Sequence, residues 1–310
     1  MFGKLMNSFY YGKSGKGDFT QEDLPANRWQ LFWQMLRVRL SGLIRLNLMY
    51  AVVWLPAIFV IILGVLGFAA GAVTETGEVM ENATQIMSGN LVMTLMLLVP
   101  CLAITGPFTA GVCYVTRNWA RDEHAFVWSD FKDAIKANWK QSLVVSIINA
   151  VMPLLCYLGV TIYMGLTDQN LLFMIPLMLM VMMFMIWALM ISYIYPLIVS
   201  YELKLKDVFR NAFLLAVAKL PISIGMRLLH CVPALILVVL TFFNPLWAIM
   251  GGFTYYILIG FGLSRFITAS VTNGVFDKVI NSRIEGVQIN RGLRAVDEDE
   301  DLDEDEEDEE

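Results

Sequence analysis

The chain has 310 residues, of which 57% are hydrophobic and only 16% charged, with a net charge of −6; its mean hydropathy is +0.62. Soluble globular domains hold about 45–50% apolar and about 25% charged residues, so a soluble domain, a nucleic-acid binder, a secreted disulfide scaffold and a coiled coil are excluded. Several apolar runs exceed the ~20 residues that cross a bilayer as helix. The expected fold class is therefore an all-α, polytopic membrane protein.

In chain order, residues 1–45 read as an N-terminal cytoplasmic arm. Its start, MFGKLMNSFYYGKSGKGDF, lacks an apolar core and a small-residue cleavage site, so no signal peptide is expected. Six spans follow, at about 46–70, 91–115, 143–166, 171–201, 221–243 and 246–270, making a membrane domain over 46–270. Pro56, Pro100, Pro107, Pro153 and Pro233 lie within spans, and Pro176 and Pro196 near the ends of the long fourth one. Prolines at membrane depth are tolerated when neighbouring helices satisfy the carbonyls they free, which predicts a packed bundle.

Stretches 71–90, 167–170 and 244–245 contain no Lys or Arg, whereas the alternate connections and both terminal segments are basic. Positive residues mark the inner side, so both termini are expected in the cytoplasm of a cell-membrane protein. The sequon Asn82-Ala83-Thr84 matters only in a eukaryotic secretory pathway, of which the composition gives no sign. A basic cytoplasmic segment, 271–296, precedes the run DEDEDLDEDEEDEE at 297–310, which holds thirteen acids in fourteen positions. Without that run, 15 acids face 22 bases. A segment this charged is expected to be disordered, either as a solvated tail or as one that folds back on a basic face.

Three amphipathic stripes precede spans. They are Trp29, Phe32, Trp33, Leu36, Leu40 and Leu43; Trp128, Phe131, Ile135 and Trp139; and Leu205, Phe209, Ala212, Phe213 and Ala216, each with Lys or Arg on other faces. Aromatics opposite bases suggest helices lying in the inner headgroup layer. The distances Phe32–Pro56, Phe131–Pro153 and Phe209–Pro233 are 24, 22 and 24 residues. Phe131-Lys132-Asp133-Ala134 is also echoed by Phe209-Arg210-Asn211-Ala212. The expected architecture is six transmembrane helices with cytoplasmic elbow helices, arranged as three elbow-plus-hairpin units.

The segment Thr105-Gly106-Pro107-Phe108-Thr109-Ala110-Gly111, continuing through YVTRNWARDEHAFVWSDFKDAIKANWKQS, resembles the signature of the YesL-like membrane proteins of Gram-positive bacteria, a family of unknown function. Gly106, Pro107 and Ala110 match its Gly-Pro-x-x-Ala turn, and Phe131 and Asn138 its following helix at a spacing one residue longer. Asn47, Trp54 and Pro56 match its first span. The resemblance is clearest over 40–200. It implies an accessory role near carbohydrate uptake and carries over no activity residue by residue.

Ionisable groups inside a membrane are functional candidates by default. Arg227 and His230 stand three residues apart in the fifth span, with Cys231 one turn from Arg227. They read either as a snorkelling arginine with a packing histidine, or as a pocket for an anionic or hydroxyl-rich ligand. Arg265 reads as an interfacial anchor. Asn47, Thr105, Thr109 and Asn149 read as interhelical glue, or as the lining of a cavity shared with His230. Met174, Met178, Met182 and Met185 form a stripe without His or Cys beside it, which favours packing over Cu(I) binding.

Cys101, Cys113, Cys156 and Cys231 lack CxxC spacing, so neither disulfide nor metal site is expected. No nucleophile–base pair, P-loop or HExxH is present, and Asp122-Glu123-His124 reads as a solvated run. The resulting expectation is a non-enzymatic membrane protein without cofactor. It would assist or scaffold a transport or envelope system, with Trp128 and Trp139 facing partners such as transporter subunits or an anionic inner leaflet. The alternative is a carrier of a small solute or lipid.

Overall fold

The computed structural model describes residues 24–71 and 82–294. The acidic tail, the start of the N-terminal arm and the centre of the 71–90 connection lie outside the described residues. The elements are α1 (Arg28–Gly71), α2 (Ala83–Ala120), α3 (Val127–Thr167), α4 (Met174–Ser200), α5 (Leu205–Ala218), α6 (Leu220–Phe243), α7 (Pro245–Tyr255) and α8 (Phe261–Val279). A π-turn, Tyr256–Gly260, joins α7 to α8, and no strand occurs among the described residues. Six helices are long and apolar enough to cross a membrane, the architecture of a multi-pass membrane protein.

Local chemistry sets the ends of these helices. Asn27 starts α1 by accepting from the Gln30 N–H at 2.9 Å, while the Gln30 side chain accepts from the Ala26 N–H at 3.0 Å. That reciprocal pair satisfies two of the donors a helix start leaves free. Asn244 starts α7 in the same way, accepting from the Leu246 and Trp247 N–H groups at 3.0 and 3.3 Å.

The stripes over 29–43 and 128–139 are not separate elbows. They are the first halves of α1 and α3, which run unbroken for 44 and 41 residues. At 1.5 Å per residue these helices are about 60–66 Å long, against a hydrocarbon core of about 30 Å. No proline lies between stripe and span in either helix. Gly42 does not break α1, because its missing side chain admits the Trp119 ring, which a Cβ would meet at 3.2 Å. An unbroken helix cannot lie in the headgroup plane and then turn to cross the membrane, so these stripes do not form in-plane helices. Only the third stripe is a distinct helix, α5. It ends at Lys219 because Pro221 begins the next helix and supplies no N–H to the preceding turn. The Ser223 hydroxyl stands 3.1 and 3.0 Å from the Ala216 and Lys219 carbonyls at that joint.

The tightest packing joins α2 to α3. A Cβ on Gly106 would run into the Ser142 carbonyl and the Ser146 hydroxyl, and one on Gly111 would meet the Phe131 ring at 2.7 Å. Ala110 is fully buried beside them, and Ser146 donates across to the Ala103 carbonyl at 2.5 Å. Small residues that let backbones approach are a usual means of helix association in membranes.

Burial is lopsided. The core residues fall mainly within 31–57, 105–150, 192–216 and 266–277, the ends of the helices that carry the bases. The opposite ends, with Phe59, Leu63, Met93, Ile162, Met178, Leu235 and Phe242, are exposed. Lipid is as apolar as these side chains, so their exposure carries no penalty in a bilayer. Met174, Met178, Met182 and Met185 therefore face outward.

A polar clip closes the basic end. Asp277, 6% exposed, accepts from Arg28 at 2.5 Å, from the Asn281 amide at 2.6 Å and from the Asn290 N–H at 3.1 Å. Tyr201, just past α4, donates to Asn281 at 2.8 Å. Arg117 near the end of α2 donates to the Val199 carbonyl at 2.6 Å, and Asn273 donates to the Arg117 carbonyl at 3.3 Å. These bonds tie α1, α2, α4 and α8 together.

Deeper in, Asn47 makes the π-turn possible. A π-turn breaks the regular backbone ladder. Fully buried Asn47 donates to the Tyr256 and Ile257 carbonyls at 3.0 and 2.6 Å and accepts from the Gly262 N–H at 2.7 Å.

Asp277→Ala should leave three donors without an acceptor and lower stability by about 2–3 kcal/mol. Asp277→Asn, which keeps most of the hydrogen-bonding shape, should lose less. Asn47→Ala should cost about 2–4 kcal/mol by orphaning two carbonyls and one N–H. Thermal unfolding of the purified protein in detergent, followed by circular dichroism, checks all three. A melting point unchanged within 2 °C in either alanine variant, using about 2–4 °C per kcal/mol, would show that other bonds hold that contact.

Candidate functional site

Besides a cavity of about 190 Å³ within the polar clip, lined by Tyr201, Asn273 and Asn281, two concave regions bring polar groups together. The first is a cavity of about 170 Å³ among α1, α6, α7, the π-turn and α8. Its walls include Tyr50 and Trp54 of α1, His230 and Pro233 of α6, Tyr255 and Tyr256 at the π-turn, and Ser264 and Arg265 of α8.

Arg265 does not act as the expected interfacial anchor. α8 runs through the middle of the bundle with Phe266 and Ala269 buried. The Arg265 stem accordingly turns inward beside Tyr50, Cys113 and Tyr195. Its guanidinium lies 5.8 Å from the centre of the Tyr195 ring, on the side of Tyr50. The relay beyond has a definite direction. Thr109 donates to the Thr105 carbonyl at 2.9 Å, so the 2.6 Å contact between Tyr50 and Thr109 is a donation from Tyr50. The Tyr50 oxygen thus keeps its lone pairs as an acceptor on the Arg265 side.

His230 faces the Ser264 carbonyl at 3.1 Å and the Thr268 hydroxyl at 3.2 Å through Nε2. Thr268 gives its own proton to Ser264 at 2.9 Å. Both neighbours of Nε2 are thus acceptors, which places a proton on that nitrogen.

Of the other expected candidates, Arg227 turns to α4, where it donates to the Ala188 carbonyl and lies 3.4 Å from the Ser192 hydroxyl. Arg227 and His230 therefore serve different neighbours despite their three-residue spacing. Asn149 accepts from the Trp187 indole N–H at 3.2 Å. Thr105, buried, donates to the Leu102 carbonyl. Asn47 and Thr109 act as interhelical connectors, and His230 is the member of the expected set that lines the cavity. Cys101, Cys113, Cys156 and Cys231 are free, and no cluster of potential metal ligands occurs among the described residues.

The second region is a groove of about 740 Å³ at the basic end, between α3 and the α4–α5 connection. Lys136, Trp139, Lys140 and Gln141 form one wall, and Ser200, Tyr201, Glu202 and Leu203 the other. Gln141 bridges them by donating to the Leu203 carbonyl at 2.9 Å. Lys140 Nζ lies 5.7 Å from the Trp139 ring, which is 47% exposed. Trp128 at the start of α3 is 64% exposed.

Asp122-Glu123-His124 is the turn between α2 and α3 rather than a reactive trio. Glu123 pairs with Arg121 at 3.2 Å and Arg291 at 3.1 Å, and His124 packs edge-on to Phe126.

Sequence reasoning missed Tyr50, Trp54, Tyr255, Tyr256 and Arg265 as neighbours. A π-turn leaves no composition signal, and the phase it adds to the last span decides which way Arg265 turns. Pairing the buried Asn47 with an interruption elsewhere was the one hint available.

The residues of the expected signature pack rather than react. Gly106 and Ala110 form the face of α2 against α3, Phe131 sits over Gly111, and Asn138 donates to the Ala134 carbonyl of its own helix at 3.0 Å. No curated protein and no solved structure matches the chain. Residues 86–160, most of α2 and α3, match the model of the family described as Protein of unknown function, DUF624, and the YesL-like resemblance of the sequence is consistent with that family.

Proposed function

We propose that this chain is a non-enzymatic accessory or scaffold protein of the cell membrane, with its basic end and both termini in the cytoplasm, serving a transport or cell-envelope system. The observation that carries this reading is the length of α1 and α3 beyond their apolar halves. Trp128 stands 15 residues before the apolar stretch that begins at 143, roughly 22 Å along the helix. Trp29 stands 17 residues before 46, roughly 25 Å. The headgroup layer adds only about 5–8 Å to each side of the hydrocarbon. Exposed Trp29, Trp33, Phe126 and Trp128 therefore reach past the lipid into water, where exposed aromatics mark docking surfaces for proteins. Trp139, nearer the lipid, opens onto the groove at Lys136 and Lys140, suited to an acidic, apolar-tipped partner segment.

The carrier reading has the Arg265–His230 cavity in its favour. About 170 Å³ falls below the ~300–1,000 Å³ of sites that enclose drug-sized ligands, and no expected span holds the Asp or Glu that a cation-coupled carrier uses. Docking accordingly ranks first, and the carbohydrate-uptake setting rests on the family resemblance.

Gentle solubilisation from native membranes, affinity capture and mass spectrometry should recover permease or ATPase subunits in stoichiometric amounts. The double variant Trp128→Ala and Trp139→Ala should reduce that recovery by at least about tenfold at wild-type membrane levels. Undiminished recovery with both tryptophans gone would overturn the docking surface.

A further inference from the structure

We infer that the cavity at Arg265 is an oxyanion site for the headgroup phosphate of an anionic membrane lipid, entered sideways between α1 and α6. The inference is independent of the docking reading above.

Arg265 brings a guanidinium with five donors in a planar fork. Its neighbours include the Tyr50 hydroxyl, the face of Tyr195 and a second cation, Arg227, and no carboxylate. Among the described residues no ion pair includes it, and the six expected spans contain no Asp or Glu that could supply one. A guanidinium in a low-dielectric setting is costly without an opposing charge. The bundle supplies none, whereas the leaflet beside it does.

The cavity walls are furnished for such a group. Trp54 and Phe261 stack in one wall and give it an aromatic surface. Next to Arg265, His230 is held by Ser264 and Thr268. The π-turn supports part of the wall, and such irregularities recur at functional sites. Arginine forks take phosphate oxygens two at a time.

Size and rim select the source. About 170 Å³ equals the liquid volume of roughly six waters at about 30 Å³ each, enough for a phosphate and its immediate substituents. The rim is apolar, with Leu229 48% exposed on the outward face of α6. Acyl chains attached to the phosphate would run out along that face, where Leu228, Val232, Leu235 and Ile236 are exposed.

The test is thermal unfolding of the full chain in a neutral detergent with phosphatidylglycerol, phosphatidylcholine or inorganic phosphate added. Phosphatidylglycerol at roughly 100 times its Kd should raise Tm by about 5 °C or more, and phosphatidylcholine should not. Arg265→Gln should weaken the phosphatidylglycerol effect at least tenfold, while Arg227→Gln, the other membrane-depth arginine, should retain it. Leu229→Trp fills the mouth from an exposed position without touching any charge, so it covers the case in which Arg265→Gln fails to fold; it too should abolish the selective shift. Equal stabilisation by the two lipids, or a selective shift that survives Leu229→Trp, would overturn the site. Inorganic phosphate reproducing the full shift would overturn the lipid as its source.

Discussion

The approach of α2 to α3 at Gly106 is the constraint from which the rest of the bundle follows. With no Cβ at that position, the Ser142 carbonyl and the Ser146 side chain come up against the α2 backbone, and Ser146 bonds back to the Ala103 carbonyl. Between helices in lipid no hydrophobic force favours association, so close contact and hydrogen bonds must do so. Gly111, one and a half turns on, then receives the Phe131 ring. Two helices of about 57 and 62 Å are thereby fixed against each other, the most extensive helix pairing in the bundle. Met93, Ile104, Leu155 and Ile162 on the same two helices nevertheless remain exposed, which carries no penalty against lipid. The family match covers this pair of helices.

Once that pair is fixed, the polar groups divide by depth. At the basic end, where water is near, the bundle uses charge: Arg28 with Asp277, and Arg291 and Arg121 with Glu123. At membrane depth it uses hydroxyls, amides and carbonyls, as in Tyr50–Thr109, Asn47 with the π-turn, and Trp187–Asn149. An ion pair within lipid carries a desolvation cost that its attraction rarely offsets, whereas a neutral hydrogen bond returns a modest gain at small cost. The clip at Asp277 also joins the first helix to the last, so the basic end behaves as one body on which Trp29 and Trp128 are mounted.

The parts legible in the sequence were those governed by length and composition. Six apolar helices follow from runs that have no other stable form in a bilayer, and the small face at Gly106 and Ala110 was visible as a motif. The elbows were misread because an amphipathic stripe at helical spacing says nothing about whether the helix continues. Continuation depends on a stop signal, and of the three stripes the third alone has one, at Lys219–Pro221. His230 was found by its type. Arg265 was misassigned because its direction depends on the five-residue π-turn upstream, and the turn depends in turn on Asn47, more than two hundred residues away in the chain.

That dependence links the structural and the functional readings of the last span. Asn47 commits both amide donors and its side-chain oxygen to the backbone around Tyr256–Gly262. The extra residue of a π-turn rotates everything that follows by about 100° relative to an uninterrupted α-helix. Without that rotation, Arg265 would leave the side of α8 that meets Tyr50 and Tyr195. The polar centre of the bundle therefore depends on a neutral amide buried on α1, and the arginine it directs inward meets no carboxylate among the described residues. A fold governed by packing alone would have an ordinary α-helical last span, with its arginine free to reach the headgroups. The additional buried amide and the irregular turn are both accounted for if the inward charge has a ligand to hold.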